Sequence, residues 1–204
     1  RDLHLSIRRQ RQMCIRDSLM TRGGTGLADI ASVDPDATKV VLYTSGTTGN
    51  PKAVRHSHNT LAKAMDNGVI AWGLDERDMM LMPSPVTHVT GYVNGIELPF
   101  FTDTKVLLME SWVVSRAVEL IETHHATTCV SATPFLRELV DDCRDQGKDL
   151  PSFRLFACGG AAVPSALIYE ASEVLANCRA VRVCASLSLS LSLSLSLAPL
   201  AHTP

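Results

Sequence analysis

The sequence lacks most of the features that mark a membrane, metal or nucleic-acid protein. It has no run of about eighteen apolar residues, so no transmembrane segment is expected. Its six cysteines, Cys14, Cys129, Cys143, Cys158, Cys178 and Cys184, form no C-x-x-C pair and show no zinc-ligand spacing. Most sit in apolar surroundings and read as small core residues of a reducing cytosol, which makes the cytoplasm the expected compartment. The pair His124-His125 stands at the polar end of a helical pattern and reads as a solvated helix end rather than a metal site. A charge excess is lacking too: the formal net charge is −2, which makes no case for a nucleic-acid partner or a membrane surface. At 204 residues the chain can bury roughly 70% of its unfolded surface, enough for one core or a piece of a larger one. Nothing in it assigns an oligomeric state, and small-molecule chemistry is the default.

What is there is concentrated in Tyr43-Thr44-Ser45-Gly46-Thr47-Thr48-Gly49-Asn50-Pro51-Lys52, directly after the apolar run Val40-Val41-Leu42. The glycines let backbone N–H groups approach an anion, four hydroxyls add donors and Lys52 supplies a point charge, so a strand is expected to feed a phosphate-cradling loop. A Walker A loop would need lysine immediately after the second glycine, followed by Ser or Thr. Here Lys52 comes three residues after Gly49, Pro51 has no N–H, and Ala53 follows. Two more places draw attention. Pro83-Ser-Pro-Val-Thr-His88-Val-Thr-Gly91 follows a short apolar run, and His88 reads either as a pocket residue or as the cap of a following helix. At Phe156-Ala157-Cys158-Gly159-Gly160-Ala161-Ala162-Val163-Pro164 a strand pattern runs into two glycines and a helix start, where open parallel sheets bind ligands, although tight turning alone would explain the glycines. Cys158 has no placed partner and reads as structural.

Between these places the pattern alternates. Strands are expected at 39–43, 79–82, 105–109, 127–131, 154–157 and 180–183. Helices are expected from about residue 56 to 72 and at 115–124, 134–144 and 164–176. His56 and His58 fall in the first turn of the first helix, after the loop. The fold class is therefore α/β, with a mainly parallel sheet and flanking helices.

The ends look foreign. Residues 1–18 carry five arginines; a transit peptide and a basic nucleic-acid arm compete with a translated sequencing adapter, and the last fits best. From Ser186 to Leu197 Ser and Leu alternate without interruption, as a CT dinucleotide repeat reads in any frame. The expected division is a non-native extension over 1–22, a domain over 23–184, which the family resemblance given next implies is a partial AMP-binding domain, and a low-complexity tail over 185–204.

The ten-residue string resembles the signature loop of the adenylate-forming superfamily, which includes acyl-CoA synthetases, luciferases and the adenylation domains of peptide synthetases. Ala53 stands where that family usually has glycine. The His88 and Gly159-Gly160 segments are similar to two further motifs of the family in the same order, so the resemblance covers roughly residues 33–183 and implies part of the large domain. The wording of Met82–Gly91 and Ala132–Leu136 looks most like medium-chain or alicyclic carboxylate–CoA ligases. Such enzymes convert a carboxylic acid and MgATP to an acyl-adenylate and pass the acyl group to coenzyme A. By this resemblance Thr44, Ser45, Gly46, Thr47, Thr48 and Gly49 hold the β- and γ-phosphates and Lys52 adds charge as a catalytic residue. Thr47 lies near Mg2+, His88 lines the acyl site, and Gly159, Gly160 and Ala161 face the adenylate. The acid is expected to have an uncharged tail, because Pro83–Gly91 contains no acidic residue to pair an α-ammonium. The family's next motif should follow Val181-Arg182-Val183, where this sequence runs into Cys184-Ala185 and the Ser-Leu tract; the chain as given is expected to be inactive. The alternatives are a non-enzymatic nucleotide-binding module or an adenylation domain of another branch.

Overall fold

The computed structural model describes residues 32–44, 51–185 and 193–194. The chain divides into two compact units, Arg1–Asp34 and Pro35–Pro204, and every described helix and strand belongs to the second.

The centre of the second unit is a five-stranded sheet in which every neighbouring pair is parallel. The strands are β3 (Met79–Met82), β4 (Lys105–Leu108), β5 (Thr128–Ala132), β6 (Leu155–Gly159) and β7 (Arg179–Arg182), in the spatial order β4-β3-β5-β6-β7. Strand residues alternate between two cores. Leu81, Cys129, Phe156 and Cys158 face one, with the buried stripes of α4 (Val114–His124), α5 (Thr133–Gln146) and α6 (Ser165–Val174). Met80, Met82, Val130, Leu155 and Ala157 face the other, with α1 (His58–Trp72) and the helical stretch after β3. That stretch consists of a short turn α2 (Val89–Gly91), a π-helical segment (Tyr92–Glu97) and α3 (Leu98–Thr102).

The strand order follows from this layering. From β3 the chain crosses to β4 on one side, then returns past β3 to β5 and continues away through β6 and β7. Parallel crossovers are almost always right-handed, so reversing the direction of travel moves the connecting helix to the opposite face. The helical stretch accordingly packs in one core and α4, α5 and α6 in the other. The point of reversal lies between β3 and β5, the place where open α/β sheets bind ligands beyond the strand carboxyl ends.

One expectation needs correction. The strand, loop and helix do not follow directly: β1 (Thr38–Thr44) pairs antiparallel with β2 (Lys52–Ser57), and only then does α1 begin. A connection as short as residues 45–51 can close a hairpin, whereas a parallel crossover needs a dozen or more residues. His56 therefore lies on β2 opposite Val40, not in a first helical turn, while His58 does open α1. Ser57 is the N-cap: its hydroxyl accepts from the Thr60 N–H and the Thr60 hydroxyl accepts from its own N–H. A helix after His88 enters the sequence analysis only through the capping alternative and without bounds, since Gly91, Gly95 and Pro99 interrupt the helical propensity of the stretch over 89–102. A short antiparallel pair joins β8 (Cys184–Ala185) and β9 (Leu193–Ser194).

Candidate active site

Three loops meet the carboxyl edge of the sheet around the point of reversal. After β3 come Pro83 and Ser84, then the exposed turn that ends at His88. β5 ends with Ser131 and Ala132, which lead into Thr133 at the first turn of α5. β6 ends with Gly159, and Gly160 turns the chain toward Ala161. Adjacent strands hold these ends together: Ser131 is registered with Cys158 and Ala132 with Gly159. The Ser84 and Ser131 hydroxyls, both buried, are hydrogen bonded at 2.8 Å and tie the end of β3 to that of β5.

The glycines here are not only tight turning. A methyl group at Gly159 would lie 2.3 Å from the Val183 carbonyl oxygen, so that position admits no side chain. Gly160 has φ +74° with open space beside it, and Ala161 is exposed. Cys158, between the sheet and this turn, is buried, and burial pushes its thiol up to about 11. It lies in the buried core cluster with Phe156 and Leu167, a core residue as expected for it.

His88 acts as the cap of α2: its Nδ1 accepts from the Thr90 N–H at 3.2 Å while the side chain remains exposed. Capping uses one ring nitrogen and leaves the other toward solvent, so the two sequence readings of His88 are compatible. Gly91 follows under the same turn, where a Cβ would lie 2.1 Å from the Pro85 carbonyl oxygen.

The hairpin carries the remaining candidate residues that the structure describes. Thr44, the last residue of β1, is registered opposite Lys52, the exposed first residue of β2, so the loop leaves from a neck with a lysine on one side. Ser45, Gly46, Thr47, Thr48 and Gly49 lie outside the described residues. At its other end the hairpin is fastened to the π-helical segment. Lys39 Nζ donates to Glu97 Oε2 at 2.5 Å and the Tyr92 hydroxyl donates to Glu97 Oε1 at 2.6 Å. Burial alone would raise the Glu97 carboxyl, but its hydrogen bonds from Lys39 and Tyr92 outweigh burial and hold it below its ordinary value. The bond to Glu97, then burial, pushes the Tyr92 phenol up to about 12.

A family model for AMP-binding enzymes matches residues 8–184. The chain belongs to the AMP-binding enzyme family. Among curated proteins, the medium-chain fatty-acid–CoA ligase of Escherichia coli (strain K12) is 30% identical over 149 residues, 73% of this chain and 26% of its own length. The long-chain fatty-acid–CoA ligase FadD13 of Mycobacterium tuberculosis is 33% identical over 175 residues, 78% of this chain and 32% of its own. Among solved structures, the inhibitor-bound N-terminal domain of FACL13 from Mycobacterium tuberculosis superposes with a TM-score of 0.69 at 27% identity, over 83% of this chain and 42% of that one. The chain thus spans between a quarter and a third of the length of these curated relatives. Its parallel α/β sheet is the AMP-binding fold that the signature string led us to expect.

Within this AMP-binding domain, the sequence pattern does not single out Ser84, Ser131, Thr133 or Glu97. The Thr133 hydroxyl is buried with no hydrogen-bond partner among the described residues. These residues sit at strand ends or in the unforeseen helical stretch, and only the pairing of β3 with β5 makes the two serines neighbours. No cluster of three His, Cys, Asp or Glu residues that could hold a metal ion occurs among the described residues. No described helix is long and apolar enough to cross a membrane.

Proposed function

We propose that this domain serves an ATP-dependent carboxylate–CoA ligase, activating an acid as its acyl-adenylate before transfer to coenzyme A. The observation that carries the reading is the signature string, whose flanks Thr44 and Lys52 are paired in a hairpin, in a domain where β3, β5 and β6 lie side by side and β6 runs into a Gly159-Gly160 turn. Thr44, Ser45, Gly46, Thr47, Thr48 and Gly49 bind the β- and γ-phosphates, and Lys52 supplies a cation at the neck. Gly159, Gly160 and Ala161 face the adenylate, with open space beside Gly160 and an exposed Ala161, and His88 borders the acid. When bound, Mg2+ supplies neutralisation of phosphate charge. The described residues hold no acidic cluster for it, so only Thr47 is assigned toward it and no step is derived through the metal.

The acid has an uncharged aliphatic or alicyclic tail. Pro83–Gly91 has no carboxylate, and the next one along the chain, Glu97, is already engaged by Lys39 and Tyr92. An α-ammonium group would therefore meet no unengaged anion from this segment. The names of the E. coli and Mycobacterium relatives, both fatty-acid–CoA ligases, support that substrate class.

The test is calorimetric titration of ATP, with magnesium chloride, into the purified 204-residue chain and its Lys52→Ala variant. We expect saturable binding that weakens roughly tenfold in the variant, as loss of a charge-assisted contact implies. A wild-type chain that binds no ATP overturns the reading. The same chain is expected to turn over far more slowly than about 1 per second, an ordinary enzymatic rate. Adenylation needs triphosphate, metal and acid held in register, and misplacement by about 1 Å costs on the order of a hundredfold. Acid-dependent pyrophosphate release by this chain at ordinary rates would show that other residues complete the site.

A further inference from the structure

The hairpin that carries the phosphate loop is a sheet of its own. Among the described residues, β1 and β2 pair only with each other and not with the five-stranded sheet. Its open end is held in a few ways. β2 continues into α1 through the Ser57 cap, and Val40 packs against the Met80, Val130 and Leu155 core. Lys39 reaches Glu97. Across the hairpin itself, Arg55 donates twice to the Thr38 hydroxyl, at 2.7 and 3.0 Å, which stiffens that end.

The loop is at the other end. Lys39 precedes Thr44 by five residues, about 17 Å along an extended strand. A lever that long converts a rocking of about 10° at the base into a displacement of roughly 3 Å at Thr44, where the strand ends. Rate and affinity in a two-substrate site are sensitive to displacements smaller than that.

Glu97 is built for such a restraint. Its side chain is 14% exposed, each carboxylate oxygen takes one donor, and the donors come from two different elements. Tyr92 and Glu97 open and close the π-helical segment, which begins four residues after His88. The wider π turn sets the two side chains five residues apart and still within 2.6 Å of each other. Glu97 thereby joins the hairpin to the stretch that starts at His88.

We propose that Glu97 is a positioning residue for the ligase reaction, acting through Lys39 to hold the ATP-binding hairpin in register with the acid-binding segment after His88. The inference rests on the function proposed above. It assigns Glu97 no contact with substrate; its role is to make binding of one substrate favour binding of the other. A network with two partners on different elements modulates such coupling by roughly two- to thirtyfold.

The experiment titrates ATP, with magnesium chloride, into the 204-residue chain with and without saturating octanoate, for wild type and for Glu97→Gln, Lys39→Met, Lys39→Arg and the Lys39→Met/Glu97→Gln double variant. Octanoate is expected to tighten ATP binding in the wild type. Glu97→Gln and Lys39→Met are each expected to lose about tenfold in ATP affinity and most of the octanoate effect. Lys39→Arg keeps both. The double variant is expected to match the singles, because all three remove one tie. Ligand-free melting, followed by circular dichroism, separates positioning from collapse: Lys39→Met alters a half-exposed side chain and should melt within a few degrees of wild type. If either single variant binds ATP with wild-type affinity and octanoate coupling, the inference fails while the functional reading stands. Additive losses in the double variant also overturn it, since Lys39 and Glu97 would then act separately. A wild-type chain that binds no ATP defeats the functional reading and the inference with it.

Discussion

The Asp78 carboxylate lies at the amino edge of the sheet, 3% exposed, at the opposite ends of the strands from the candidate site. Arg154 donates Nε to its Oδ1 at 2.9 Å and Nη2 to its Oδ2 at 2.5 Å, and the Thr127 hydroxyl adds a bond of 2.7 Å. The Asp75 N–H completes the set at 3.0 Å. Burial on its own would raise this carboxyl, but the bonds from Arg154, Thr127 and the Asp75 backbone prevail and leave it below its usual value. Arg154 is partly exposed and keeps its bonds to the Trp72 and Gly73 carbonyls, so Asp78→Asn costs chiefly the charge-assisted bonds of the carboxylate and is expected to destabilise the fold by about 2 kcal/mol at pH 7. A group whose folded value is lowered stabilises above its unfolded value, near 3.9, and that contribution disappears as pH falls through the folded value. Urea melts should therefore show a wild-type advantage that is flat above about pH 5 and closes below about pH 4. ATP affinity at pH 7 should not change, because the pair is remote from the carboxyl edge. At that edge the glycines separate by mechanism. Gly160→Ala meets open space at positive φ and should cost about 1 kcal/mol. Gly91→Ala drives a methyl into the Pro85 carbonyl, and a cost of at least about 3 kcal/mol is expected in the same melts.

Elements show which parts of the fold a single sequence can reveal. Helices α4, α5 and α6 and all five parallel strands were legible to within two residues at each end, because each carries a periodic apolar face and a turn residue after it. Strand order was not legible. The pairing of Met80 with Thr128 depends on contacts across the whole chain, and no local pattern records it. Ser84 and Ser131 were invisible as a pair for the same reason. The hairpin was half legible: the strand ahead of the signature string was expected, but Lys52–Ser57 is short and half exposed, so its period of two did not stand out against the helix after it. Its junction with α1 gives a direct test. Ser57 holds a reciprocal cap with Thr60 at the point where strand becomes helix. Ser57→Ala should cost about 1 kcal/mol in thermal or urea unfolding, with Ser57→Asp near neutral because aspartate caps equally well. Equal losses in both variants would mean that the hydroxyl has some role other than capping.

At the scale of the whole molecule, uncovered apolar side chains occur at several places among the described residues, including Tyr43, Ile70 and Tyr169, and one group of them falls on two consecutive elements, α3 and β4. Phe100 on α3 is 90% exposed, and Phe101 beside it and Leu108 on β4 are also exposed. β4 is an edge strand, hydrogen bonded on one side to β3, and the described residues place no partner on its other side. Natural edges are normally blunted by charge, bulges or cover, and large exposed aromatics run against that practice. Lys105 supplies one charge at the start of β4, but Val106, Leu107 and Leu108 continue without another. Transferring a phenyl ring out of water is worth roughly 2 kcal/mol, so two copies meeting through these side chains gain enough for weak association at high concentration. We expect sedimentation velocity of the purified chain to show concentration-dependent self-association. Phe100→Ser should reduce it, and the Phe100→Ser/Phe101→Ser pair should nearly abolish it. Both variants should retain wild-type melting, because neither side chain belongs to a buried cluster. Unchanged association in the double variant would locate the contact elsewhere, and a lowered melting temperature would mean that the phenylalanines pack within the fold rather than on its surface.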